Sequence, residues 1–106
     1  MMRFVVFITA PDEEVGANIA RTLVEKKLAA CVNILKVSRS IYSWQGKIED
    51  HPEVLLVVKT KEKLFDKIVQ EVEKIHPYTV PEIIGFEIKK SAEKYAKWWD
   101  LSVLQD

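Results

Sequence analysis

Cysteine occurs once, histidine twice and glycine three times in 106 residues, and neither sign of charge prevails. The lone Cys31 excludes an intrachain disulfide and accords with a reducing compartment. The glycines at 16, 46 and 85 stand singly, so the chain has no glycine-rich phosphate loop. Sixteen Lys plus Arg balance sixteen Asp plus Glu for a formal net charge of zero. No overall field therefore draws the chain to nucleic acid or to an anionic membrane surface. No apolar run approaches the roughly 18–20 residues of a membrane-crossing helix, and the first residues lack the pattern of a secretory signal, so a cytoplasmic protein is expected. The metal spacings CxxC, HxxxH and HExxH are missing as well.

What is present is enough apolar residue, 48%, to fold one core, and the length suits a single domain over residues 1–106. Residues 3–9 are β-branched and aromatic without alternation, which predicts a strand at a sheet centre or covered on both faces. Pro11 suits a first helical turn, and Asp12, Glu13 and Glu14 favour a helix N-terminus. The helix that follows to about Lys27 carries Val15, Ile19, Leu23 and Val24 on one stripe.

From Leu28 the period changes to two. Cys31, Asn33, Leu35, Val37, Arg39 and Ile41 fall on one face, and Val32, Ile34, Ser40, Tyr42 and Trp44 on the other. Trp44-Gln45-Gly46-Lys47 reads as the turn of a long hairpin, whose second arm is expected to bulge around Asp50-His51-Pro52. Two helices cannot cover both apolar faces of such arms, so self-association is expected.

Thr60 is a candidate N-cap for a second helix carrying Leu64, Phe65, Ile68, Val69, Val72 and Ile75. Pro77 ends that helix near Ile75 and makes His76 extended. A strand then runs to about Lys89. Ser91 is a candidate cap for a last helix bearing Tyr95, Trp98 and Trp99. The order β-α-β-β-α-β-α predicts an α+β, ferredoxin-like βαββαβ antiparallel sheet with an extra C-terminal helix.

That architecture serves many functions, so the residues must decide. An RNA-recognition sheet needs aromatics on both central strands, and residues 54–58 have none. His51 reads as a solvated residue of a charged turn. His76 is the better metal candidate, being on a stiff connector at a cleft edge where one ring nitrogen can be free, with Cys31 as a possible soft partner. Cys31 with His76, or Glu49 with Glu82, would be the only acid–base or nucleophile sets, and nothing marks an oxyanion hole, so no enzyme is expected. Residues 75–83 place His76, Tyr78 and Glu82 rigidly, as a site requires; a plain helix-to-strand corner with Tyr78 filling the core looks the same. Residues 42–49, with Tyr42, Trp44, Lys47 and Glu49, resemble a recognition edge. By default Lys47, Glu49 and Lys59 are ordinary sheet charges of the long hairpin.

Together, several segments resemble the CutA family of divalent-ion tolerance proteins: Thr9-Ala10-Pro11, Leu28-Ala29-Ala30-Cys31-Val32-Asn33, Tyr42-x-Trp44-x-Gly46-Lys47-x-Glu49, Lys59-Thr60, His76-Pro77-Tyr78-x-x-Pro81-Glu82 and Tyr95-x-x-Trp98. They span nearly the whole chain in the family's order. The resemblance implies a homotrimer similar in build to the PII signalling proteins, with hairpins packed between subunits and clefts at the interfaces. It also implies a link to copper and other divalent ions without an established catalytic reaction. By that likeness His76 and Cys31 are the metal residues, and Tyr42, Trp44, Lys47, Glu49, Lys59, Tyr78 and Glu82 belong to a ligand-binding cleft. Some copper-binding members carry a further cysteine before Thr-Ala-Pro and a further histidine before His-Pro-Tyr, where this chain has Ile8 and Ile75. The expected function is divalent-cation tolerance through a metal, copper included, or a small ligand at intersubunit clefts. The alternative is a PII-like sensor that contacts a partner through its hairpins.

Overall fold

β1 (Arg3–Ala10) is the strand around which the sheet is assembled. β3 (Lys47–Lys61) pairs with one of its edges and β4 (Ile83–Glu87) with the other, while β2 (Cys31–Trp44) lies outside β3, giving the antiparallel order β2-β3-β1-β4. These elements belong to a computed structural model that describes residues 2–105. With α1 (Glu13–Glu25), α2 (Phe65–Ile75) and α3 (Glu93–Ser102) the order is that of a ferredoxin-like sheet followed by one further helix. The central position of β1 explains its missing alternation: Val6 and Ile8 face the helices, while Val5 and Phe7 lie on the opposite face and are still largely covered.

Ile19 and Leu23 of α1 and Ile68 and Val72 of α2 share one buried cluster with Val6, Ile8, Leu56 and Val58. Each such aliphatic side chain contributes about 1.5–3 kcal/mol when fully buried. Gly16 lets α1 lie close against β3, since a Cβ there would come within 3.0 Å of Val54 Cγ2. Asp12 is the N-cap, accepting from the Val15 N–H at 2.9 Å, so Pro11 precedes the cap instead of entering the first turn. At the other end Lys27 takes a positive φ of 58°, and the Leu28 and Lys27 N–H groups donate to the Leu23 and Val24 carbonyls. This is a Schellman closure with lysine where glycine is usual.

Two expected caps are corrected. Thr60 is still in β3, wholly buried, its hydroxyl donating to the Leu28 carbonyl at 2.6 Å, and a 3₁₀ turn, Glu62–Leu64, precedes α2. Ala92, without a side-chain cap, precedes α3, and Ser91 Oγ bonds the Ala92 carbonyl instead. In both places strand and loop hydrogen bonds hold the hydroxyl before a helix N–H can. α3 docks through Trp99, 3% exposed, whose Nε1 donates to the Thr60 carbonyl at 2.8 Å, and through a paired Arg3–Asp100 bridge. Tyr95 and Trp98 stay exposed beside each other.

The hairpin turns at Gln45 and Gly46 with φ of 51° and 80°, a type I′ turn matched to the strand twist. Its irregularity lies on the first arm. Val37 pairs with Glu53 but Ser40 pairs with His51, so β2 holds one residue more than β3 beside Pro52. The proline cannot donate to the ladder, and the extra residue on the facing strand absorbs the mismatch. The expected face assignment therefore fails beyond Val37. Tyr42 and Trp44 share the face of Leu35 and Val37, and Ile41 moves to the other. That face, away from α1 and α2, also carries Ile84 and Phe86 and leaves Leu35, Ile84 and Phe86 about half exposed.

Candidate functional site

The end of β1, the bulged arm of β2, Glu53 of β3 and the 77–82 connector enclose a cleft of about 710 Å³. Tyr42, Trp44, Glu49, Tyr78 and Glu82 line it, as do Thr9, Ser40, Ile41, Glu53, Pro77, Thr79 and Val80. The bulge is what brings Tyr42 and Trp44 here, because an unbroken two-residue period would have turned them away.

The connector is fastened at two points. His76, 8% exposed, accepts the Tyr78 N–H on Nδ1 at 3.1 Å, so its proton sits on Nε2, which donates to the Thr9 carbonyl at 2.7 Å. Tyr78 then donates its hydroxyl to Glu53 Oε2 at 2.6 Å. Burial first, then the Glu53 carboxylate, push the Tyr78 phenol well above its ordinary value of 10.0. On the hairpin, Tyr42 hydroxyl and His51 Nε2 lie 2.8 Å apart, while His51 Nδ1 lies 3.2 Å from the Pro52 carbonyl. A carbonyl only accepts, so Nδ1 carries the proton and Nε2 accepts from Tyr42. His51 is thus a strand residue that orients Tyr42 and not a freely solvated one. The Tyr42 phenol is also raised, by burial and then by Glu53 and Glu49.

The family model for the CutA1 divalent ion tolerance protein matches residues 4–102. The chain belongs to the CutA1 divalent ion tolerance family. It is similar to the divalent-cation tolerance protein CutA of Thermus thermophilus, 48% identical over 97 residues that cover 92% of this chain and 94% of that protein. It is also similar to mouse CutA, 44% identical over 92 residues covering 87% of this chain but only 52% of the longer mouse protein. Among solved structures, CutA1 from Oryza sativa superposes with a TM-score of 0.95 at 39% identity, covering 100% of this chain and 97% of that one.

Within this one chain the two expected metal residues are not brought together. Both His76 ring nitrogens are engaged in holding the connector, so neither offers a lone pair. Cys31 pairs with Lys59 and the Thr9 contacted by His76 pairs with Leu55. Four residues of β3 separate those positions, roughly 13 Å. Cys31 Sγ lies 3.9 Å from Asn33 Oδ1 and near Tyr95 of α3. Among the described residues no three His, Cys, Asp or Glu side chains converge as metal ligands. The donors of this one chain therefore do not fit a copper ion.

Lys47 and Lys59 also stand outside the cleft lining. Lys47 sits at the turn opposite Trp44, and Lys59 donates to Asn33 Oδ1. Glu53 is the wall residue that sequence reasoning missed. The one signal for it was a carboxylate next to Pro52 at the start of an apolar run, where the bulge reverses the facing arm.

Proposed function

We propose that the protein serves divalent-cation tolerance as a cytoplasmic homotrimer that binds a metal ion or a small ligand in clefts at its subunit boundaries. The observation that carries this reading is the cleft of about 710 Å³, a volume typical of small-molecule sites. It opens on the same sheet face as the exposed Leu35, Ile84 and Phe86. A covering subunit would remove those side chains from water and close the cleft's rim. Copper enters this reading only through donors from more than one subunit, with Cys31 as the soft ligand and His76 as a support of the wall. No reaction is assigned to the protein.

A second reading is a PII-like sensor whose hairpins meet a partner, with metal binding incidental. Ile41 and Ile48, 62% and 74% exposed near the hairpin end, favour it.

The test begins with light scattering on the intact protein. A mass of three 12.3 kDa chains is expected, and a monomer at micromolar concentration overturns the trimer and its boundary clefts. Calorimetric titration of metal-free protein with Cu(II), Zn(II) and, under reducing conditions, Cu(I) then separates the ligand classes. Metal binding tighter than about micromolar, about 8 kcal/mol, supports the metal; its absence moves the function to a small ligand.

A further inference from the structure

The walls of the cleft carry charge of one sign. Glu49, Glu53 and Glu82 line it with Tyr42, Trp44 and Tyr78, and no lysine or arginine is in the lining. None of the three carboxylates forms an ion pair among the described residues. Of the cations nearest in sequence, Arg39 is paired with Asp50, and Lys47, opposite Trp44 at the hairpin turn, is not in the lining.

Glu53 is the most constrained of the three. It is 7% exposed, and Tyr78 holds Oε2, while Oε1 has no hydrogen-bond partner among the described residues. Yet no fully enclosed side-chain oxygen lacks a partner there, so Oε1 is the part of the residue that reaches the cavity. A carboxylate on a residue this largely buried, with one oxygen open to the cleft, favours a positive charge and a donor there. A bare metal ion is a poor answer, because no three ligating side chains converge. An organic cation needs only one buried carboxylate for its N–H groups and aromatic or apolar walls for its body.

We infer that the cleft takes a small organic cation, a primary ammonium or guanidinium group on an apolar body, anchored at Glu53 Oε1 with Tyr42 and Trp44 against the body. Glu49 and Glu82 supply further negative field at the mouth. The inference rests on the reading that the cleft holds a small ligand, and it names the class of that ligand.

The experiment is calorimetric titration of the intact protein at neutral pH with phenethylamine and benzylguanidine, beside the uncharged 2-phenylethanol and the anionic 3-phenylpropanoate. The cations are expected to bind at least about tenfold tighter than the alcohol, with the acid weakest, because a charge-assisted hydrogen bond to a buried group separates them. Glu53→Gln keeps an acceptor for the Tyr78 hydroxyl and is expected to remain folded by thermal melting while losing about tenfold or more in cation affinity. Equal binding of amine and alcohol, or preference for the acid, overturns the cation inference and leaves the cleft reading standing. Cation binding unchanged in Glu53→Gln places the cation elsewhere and also overturns it. If none of the four probes binds, the cation inference fails, while the cleft reading stands or falls on the trimer mass and the metal titration.

Discussion

The Tyr78 hydroxyl donates to Glu53 Oε2 at 2.6 Å across 25 positions of sequence, and this one bond ties the proline-rich connector to the long hairpin. Tyr78→Phe removes the donor and leaves a carboxylate that is 7% exposed without a partner. A loss of about 1–3 kcal/mol is expected in denaturant unfolding at fixed protein concentration. Glu53→Leu removes the other half, and the double variant should lose less than the sum of the two singles. Strict additivity would show that the contact contributes nothing to stability.

The same tyrosine sets an alkaline limit. Because the fold holds the Tyr78 phenol above 10.0, the folded state favours the neutral form. Its contribution is complete below 10.0 and is lost as pH rises from there through the folded value. Unfolding followed by phenolate absorbance should therefore show stability falling with pH above about 10, with a shallower slope in Tyr78→Phe.

His76→Ala removes both the Nε2 bond to the Thr9 carbonyl and the Nδ1 acceptor for the Tyr78 N–H. Roughly 2 kcal/mol or more of stability should go with them. The size of the loss is expected to be the same with and without a chelator. A loss that disappears in chelator would mean that the imidazole works through a metal.

Lys27 holds a left-handed conformation, φ 58°, at the end of α1, where its side chain meets steric strain. Lys27→Gly relieves that strain at some entropic cost in the unfolded chain, so a net gain of about 0.5–1 kcal/mol is expected. A lower melting temperature in the variant would show that the lysine side chain makes a compensating contact.

Much of the architecture is legible along the chain because its signals are local. Pro77 stops α2 at Ile75 and leaves His76 extended, with φ of −79° and ψ of 134°. The Gln45-Gly46 turn and the α1 stripe of Val15, Ile19 and Leu23 are equally short-range, whereas Val24, expected on that stripe, is 41% exposed. Five of the seven expected cleft residues, Tyr42, Trp44, Glu49, Tyr78 and Glu82, do share one cavity. Lys47 and Lys59 do not: they share the sheet face of Glu49 and Glu53 but lie beyond the cleft along β3, Lys47 at the hairpin turn and Lys59 beside Asn33.

Local chemistry in the sequence determined which segments become strands, helices and turns, because propensity, proline geometry and period act over a few residues. Only the tertiary structure decided which side chains meet. One extra residue between Val37 and Ser40 reversed the faces of the outer hairpin, and no pattern within either arm announces on which strand that residue falls. The pairing of β3 with β2 and β1 then put Glu53 beside a tyrosine 25 residues away and placed the Thr9 carbonyl over His76. Those contacts turned the conspicuous histidine into a support and an unremarked glutamate into the wall of the cleft, because long-range pairing, not residue type, fixes which lone pairs remain free.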